Sequence, residues 1–120
     1  MGLVANVFVG IVALIHIGFL VLEMFLWRTP FGRRAIGVDP ELADRTAPLA
    51  ANQGLYNGFL AAGLIWGLIA GEPVSYQAKV FFLICVIVAG LYGAATVNRR
   101  VLLIQAVPAA IALVLVVVAR

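Results

Sequence analysis

The sequence predicts an all-α integral membrane protein, a four-helix bundle that crosses the bilayer. Three observations predict it. Of 120 residues, 65% are hydrophobic and 11% charged, and the mean hydropathy of +1.16 lies far outside the range of water-soluble domains. The apolar residues fall in runs of about 20, the length that a hydrocarbon core of about 30 Å demands of a helix. The arginines gather between those runs or at their ends. Residues 1–120 are therefore read as a single transmembrane domain with no room for a soluble catalytic one.

The first run predicts a helix over about residues 4–27. It lacks a basic leader and contains Glu23, so it reads as a retained span rather than a cleaved signal. The stretch 28–48 reads as a solvated or lightly folded loop, with a short helical turn after Pro40 and acidic Asp39, Glu41 and Asp44 among its arginines. Thr46, Ala47 and Pro48 mark a helix start, giving a second span over about 49–70 that Gly71, Glu72 and Pro73 close. A third span over about 77–97 and a fourth over about 101–119 follow, joined by a tight turn at Asn98, Arg99 and Arg100. Gly63 and Gly67 form a GxxxG spacing suited to close helix approach, a common and weak signal.

Orientation follows from the basic residues. Arg28, Arg33, Arg34, Arg45, Arg99 and Arg100 fall on one side and only Lys79 and Arg120 on the other. Because basic residues resist translocation, the first and third connections are expected in the cytoplasm and both termini outside, in a bacterial inner membrane. The lone cysteine, Cys85, excludes an internal disulfide. The charge of +3 is explained by cytoplasmic retention and lipid headgroups, so membrane lipid is an expected partner and nucleic acid is not.

The candidate site residues are the polar groups inside the spans. A carboxylate at the bilayer centre costs about 2.5–3.5 kcal/mol even on the lenient insertion scale. Glu23 therefore needs a reason to be there. His16 lies seven residues earlier, on the same helix face and roughly 10 Å away along the axis. The second span runs antiparallel and brings Asn52, Gln53, Tyr56 and Asn57 to a similar depth, over an arc of roughly 140°. Tyr92 and Gln105 sit in the cytoplasmic halves of the last two spans. Together these residues suggest a polar pocket open to the cytoplasm, with Glu23 and His16 as acid/base candidates and Asn52, Gln53, Tyr56, Asn57, Tyr92 and Gln105 as ligand-binding candidates. The bland alternative is that amides and carboxyl merely glue helices together, at around 0.6 kcal/mol per bond.

The segments "HIGFLVLEMFLW", with Phe31 beyond it, and "NQGLYNGFLAAG" resemble the domain-of-unknown-function 1304 family of small four-span membrane proteins, over essentially the whole chain. The resemblance implies that architecture and a shared site at His16, Glu23, Asn52, Gln53, Tyr56 and Asn57, and names no substrate.

The residues set aside several chemistries. A zinc site needs three or four ligands, and one His, one Cys and one intramembrane Glu do not supply them. The Glu-x-x-His pairs of a di-iron bundle are absent, and haem ligation by His16 would need Met24 or a second subunit. No cofactor or metal is therefore expected. The leading expectation is a protein that binds a small lipophilic molecule, with isomerisation, epimerisation or cyclisation by Glu23 and His16 as a reaction that needs no cofactor. The alternative is a proton-coupled exporter working as a homo-oligomer, specifically a dimer, similar in architecture to the small multidrug-resistance transporters. Against it stand the off-centre Glu23 and the one-sided charge bias. An accessory subunit is a third reading.

Overall fold

The computed structural model describes residues 2–120, and the regular elements among them are helices. Helix α1 spans Gly2–Phe25, α2 Pro30–Ile36, α3 Pro40–Ile69, α4 Val74–Thr96 and α5 Val107–Ala119, the last preceded by a π-helical turn at Leu102–Ala106. Among the described residues three stretches are long and apolar enough to cross a membrane: Gly2–Phe25, Val74–Thr96 and Leu102–Ala119. Four such spans were expected. Helix α3 is long enough, but Asn52, Gln53 and Asn57 dilute its apolar run, and it is not among the three.

The stretch 28–48 differs from the expected loop. Most of it is helical, because each helix in it carries its own start signal. Thr29 caps α2, its Oγ1 accepting the Gly32 N–H at 3.1 Å while its hydroxyl donates to the Leu26 carbonyl at 2.6 Å. Pro30 follows as a first helical residue that has no N–H to lose. Gly37, at φ +83°, ends the helix in the left-handed conformation that glycine adopts without strain, and its N–H bonds the Arg33 carbonyl. Two residues later the pattern repeats. Asp39 Oδ1 accepts the Leu42 N–H at 2.8 Å ahead of Pro40, and α3 begins there rather than at residue 49. Pro48, expected at the helix start, lies inside α3. Its ring removes one backbone bond from the α3 ladder there.

Contacts divide the chain into two compact units, one formed by the chain up to Ile15 with Leu60–Arg120, the other by His16–Phe59. The larger unit is itself a packing of four helical segments. Its core joins Val9 and Val12 of α1, Leu64 of α3, Leu83 and Val86 of α4, and Ala109, Ala112 and Val116 of α5. Outward-facing Phe81, Val88, Leu91, Val114 and Val118 are exposed, as apolar groups are when lipid rather than water surrounds them. At the α3–α4 contact the Ser75 hydroxyl donates to the Gly67 carbonyl at 2.6 Å, and the ring of Phe82 lies against Gly63, so the GxxxG face does meet a neighbouring helix.

The last two spans meet through the π turn. Asn98 organises the tight connection, its Oδ1 accepting the Arg100 N–H at 2.9 Å and its carbonyl the Val101 N–H at 3.1 Å. The turn ends one residue before the start of α5, whose second residue is Pro108. A proline ring collides with the carbonyl four residues earlier, and a widened turn relieves that collision. It also brings Ala106 against Gly90, where an added Cβ would stand 2.8 Å from both the Cβ and the backbone N of Ala106.

Two outcomes follow. Gly90→Val should destabilise the purified protein by about 1–3 kcal/mol, the usual range for overpacking, read as a lowered midpoint of thermal unfolding in detergent; an unchanged midpoint would refute the close α4–π-turn contact. Asp39→Ala should cost about 1 kcal/mol of helix stability, read as faster amide exchange at Leu42 and Ala43 with exchange at Leu83 unchanged.

Candidate functional site

The smaller unit, His16–Phe59, holds the arrangement with most chemical content. In it the end of α1 packs on the middle of α3, and glycine makes the contact close. A Cβ at Gly54 would lie 2.7 Å from Met24 Cγ, 3.1 Å from Glu23 Cβ and 3.3 Å from the Leu20 carbonyl oxygen, and one at Gly58 would lie 2.7 Å from Leu20 Cδ1. Residues four apart share a helix face, so the Gly54–Gly58 strip is the surface on which α1 rests. Asn57 borders that strip. It is 6% exposed, and its Nδ2 donates to Glu23 Oε1 at 2.5 Å.

Glu23 is half-buried rather than enclosed. It lines an open groove of about 530 Å³ whose other walls include Trp27, Arg28, Asp44, Pro48 and Ala51. Trp27 is fixed there by an indole N–H donating to Thr46 Oγ1 at 3.0 Å, and Thr46 in turn donates to the Leu42 carbonyl at 2.7 Å. Arg28 and Asp44 approach at 3.8 Å with both side chains two-thirds exposed, a pair that contributes little to stability but sets opposite charges side by side at the groove. The arrangement offers one carboxyl oxygen tied to an amide, the other open to a donor, an aromatic wall and a short apolar floor.

The other expected site residues do not line this groove. His16 is 0% exposed and stands edge-on to Phe19, ring centroids 5.4 Å apart at 76°; it is absent from the groove lining. Asn52, Gln53 and Tyr56 lie exposed on α3, where Tyr56 packs edge-on against Phe59 at 5.7 Å. An arc of roughly 140° is wider than one helix–helix contact, so Asn57 at its edge meets Glu23 and these three do not. Tyr92 and Gln105 belong to the larger unit, Tyr92 exposed on α4 and Gln105 buried in the π turn. Among the described residues no three His, Cys, Asp or Glu side chains gather as a metal site would require.

Sequence reasoning missed Arg28, Asp44 and Pro48 as groove residues because it treated 28–48 as a connector. The pairs Thr29-Pro30 and Asp39-Pro40 are the signal that would have found them: each is a helix start, and two starts in so short a stretch fold the segment back on itself.

A match to the family described as "Protein of unknown function (DUF1304)" covers residues 10–117. The uncharacterized protein YpaA of Lactococcus lactis subsp. lactis (strain IL1403) is 32% identical over 106 residues, which cover 87% of this chain and 88% of that protein. No solved structure matches the chain. With nearly its whole length matched, this chain belongs to the DUF1304 family.

Proposed function

We propose that this protein binds a small lipophilic molecule bearing a hydroxyl or amine, in the groove of the His16–Phe59 unit, with Glu23 as the polar anchor. One observation carries the reading: a half-buried glutamate at the end of a membrane-spanning helix is held by Asn57 through one oxygen and faces a groove walled by Trp27, Pro48 and Ala51. Intramembrane carboxylates are costly and mark function more often than scaffolding. Asn57 fixes the carboxyl's direction and leaves Oε2 for a ligand donor, while the indole and the proline ring present apolar surface to the rest of the molecule. Binding is the part of the sequence expectation that this geometry supports. Acid/base turnover by Glu23 with His16 gains nothing from it, because His16 is enclosed and off the groove.

We place this groove on the cytoplasmic side of a bacterial inner membrane, with both chain ends outside. The support is the distribution of arginine: Arg28, Arg33, Arg34 and Arg45 surround the α2 and early α3 segment, and such clusters resist translocation.

The binding reading is tested by native mass spectrometry of protein extracted gently from its membrane. A co-purifying lipophilic molecule should be retained by the unaltered chain. Glu23→Ala should reduce it by at least about tenfold, as expected for a lost hydrogen bond to a charged group, and Asn57→Ala by less. Equal retention in Glu23→Ala protein of unchanged melting midpoint would reject the anchor. The orientation is tested in a Cys85→Ala background carrying Arg34→Cys. A membrane-impermeant maleimide should leave that cysteine unlabelled in intact cells and label it after disruption; labelling of intact cells would reverse the assignment.

A further inference from the structure

The larger unit carries a second cleft, of about 390 Å³, that the proposed function does not use. It opens where α1 begins, α3 hands over to α4 and α5 finishes, and it is lined by Asn6, Glu72, Tyr76, Lys79 and Arg120 above apolar Leu68 and Val116. Spanning helices end at headgroup level, so the cleft's position suits a lipid headgroup.

Its charged groups are fixed but unspent. The stem of Lys79 lies against Gly67, where a Cβ would come within 2.9 Å of Lys79 Cγ. Its Nζ donates to Asn6 Oδ1 at 2.7 Å, and an ammonium has three donors, so two remain. The Arg120 guanidinium lies 4.3 Å over the Tyr76 ring; stacking uses its face and leaves its in-plane N–H groups for an anion. Glu72 Oε1 accepts the Tyr76 backbone N–H at 2.9 Å, leaving Oε2 as an acceptor. Among the described residues none of these three charges forms an ion pair. Two cations with spare donors and one carboxylate with a spare acceptor, in one cleft, match a zwitterion: a phosphate diester beside a primary ammonium.

We propose that this cleft binds a phosphoethanolamine group, supplied by a glycerophospholipid of the surrounding membrane. Lys79 and Arg120 hold the phosphate, Glu72 takes the ammonium, and the acyl chains leave over half-buried Leu68. The separation of roles predicts selectivity. A choline headgroup has no N–H for Glu72, and a glycerol headgroup has no positive charge for it.

The test is native mass spectrometry of the full chain in detergent micelles doped with equal amounts of dioleoyl phosphatidylethanolamine, phosphatidylcholine or phosphatidylglycerol. Ethanolamine lipid should be retained at least about tenfold over the other two, the discrimination expected of one charge-assisted hydrogen bond. Lys79→Met and Arg120→Gln should each weaken retention of all phospholipids. Glu72→Gln, which keeps the acceptor for Tyr76, should erase the preference for ethanolamine over choline while phosphate binding persists. Arg120 is exposed at the end of α5, so its variant keeps the test decisive even if Lys79→Met fails to fold. Soluble glycerophosphoethanolamine distinguishes the sources: if it displaces the lipid, the free ester is a ligand of the same cleft, and if it does not, the acyl chains are part of what is bound. Equal retention of the three lipids, or unchanged retention in Arg120→Gln, would overturn the proposal.

Discussion

A bilayer offers no partner to a backbone N–H or C=O, and that single constraint organises this chain. Each unpaired backbone group in hydrocarbon costs several kcal/mol, so a run of about 20 apolar residues has little choice but to become a helix. Gly2–Phe25, Val74–Thr96 and Leu102–Ala119 obey it directly. The same constraint explains why irregular backbone is confined to chain turns, and why those turns are densely capped. Thr29, Asp39, Glu72 and Asn98 each accept a backbone N–H at or near a helix start. Where Pro108 breaks the ladder, the response is a widened helical turn rather than an exposed gap.

Once the helices exist, apolar burial no longer selects partners, since lipid tails are as apolar as leucine. Close contact and hydrogen bonding decide instead. In the larger unit the deciding contacts are backbone-close ones: Gly67 beneath Ser75 and Lys79, Gly90 beneath Ala106. In the smaller unit Gly54 and Gly58 admit α1, and only then does Asn57 reach Glu23. Small residues and the polar pair are thus one device, since the amide is too short to bridge helices held apart by larger side chains.

Much of this was legible in the residues. The family, the all-α membrane class, the pairing partner type for Glu23 and the role of the GxxxG strip follow from hydropathy, spacing and the quoted motifs. Three readings needed coordinates. The amide cluster looked like one surface, but Asn52, Gln53 and Tyr56 turn outward while Asn57 turns in, a difference of one helical face that no composition reveals. His16 shares a helix face with Glu23, yet His16 is fully buried and Glu23 only half-buried. The segment 28–48 reads as a solvated loop with one short helical turn after Pro40, whereas the structure adds a helix at Pro30–Ile36 and runs α3 unbroken from Pro40.

The residues alone therefore determined what is local: which stretches must be helical, because lipid leaves backbone groups no other partner, and where charge prevents a span from continuing. Tertiary structure alone decided which polar side chains meet. A helix presents a new face every 100° or so, and the face that is used depends on where glycine lets a second helix come close. The partners in that choice are tens of residues apart: Glu23 and Asn57, or Asn6 and Lys79.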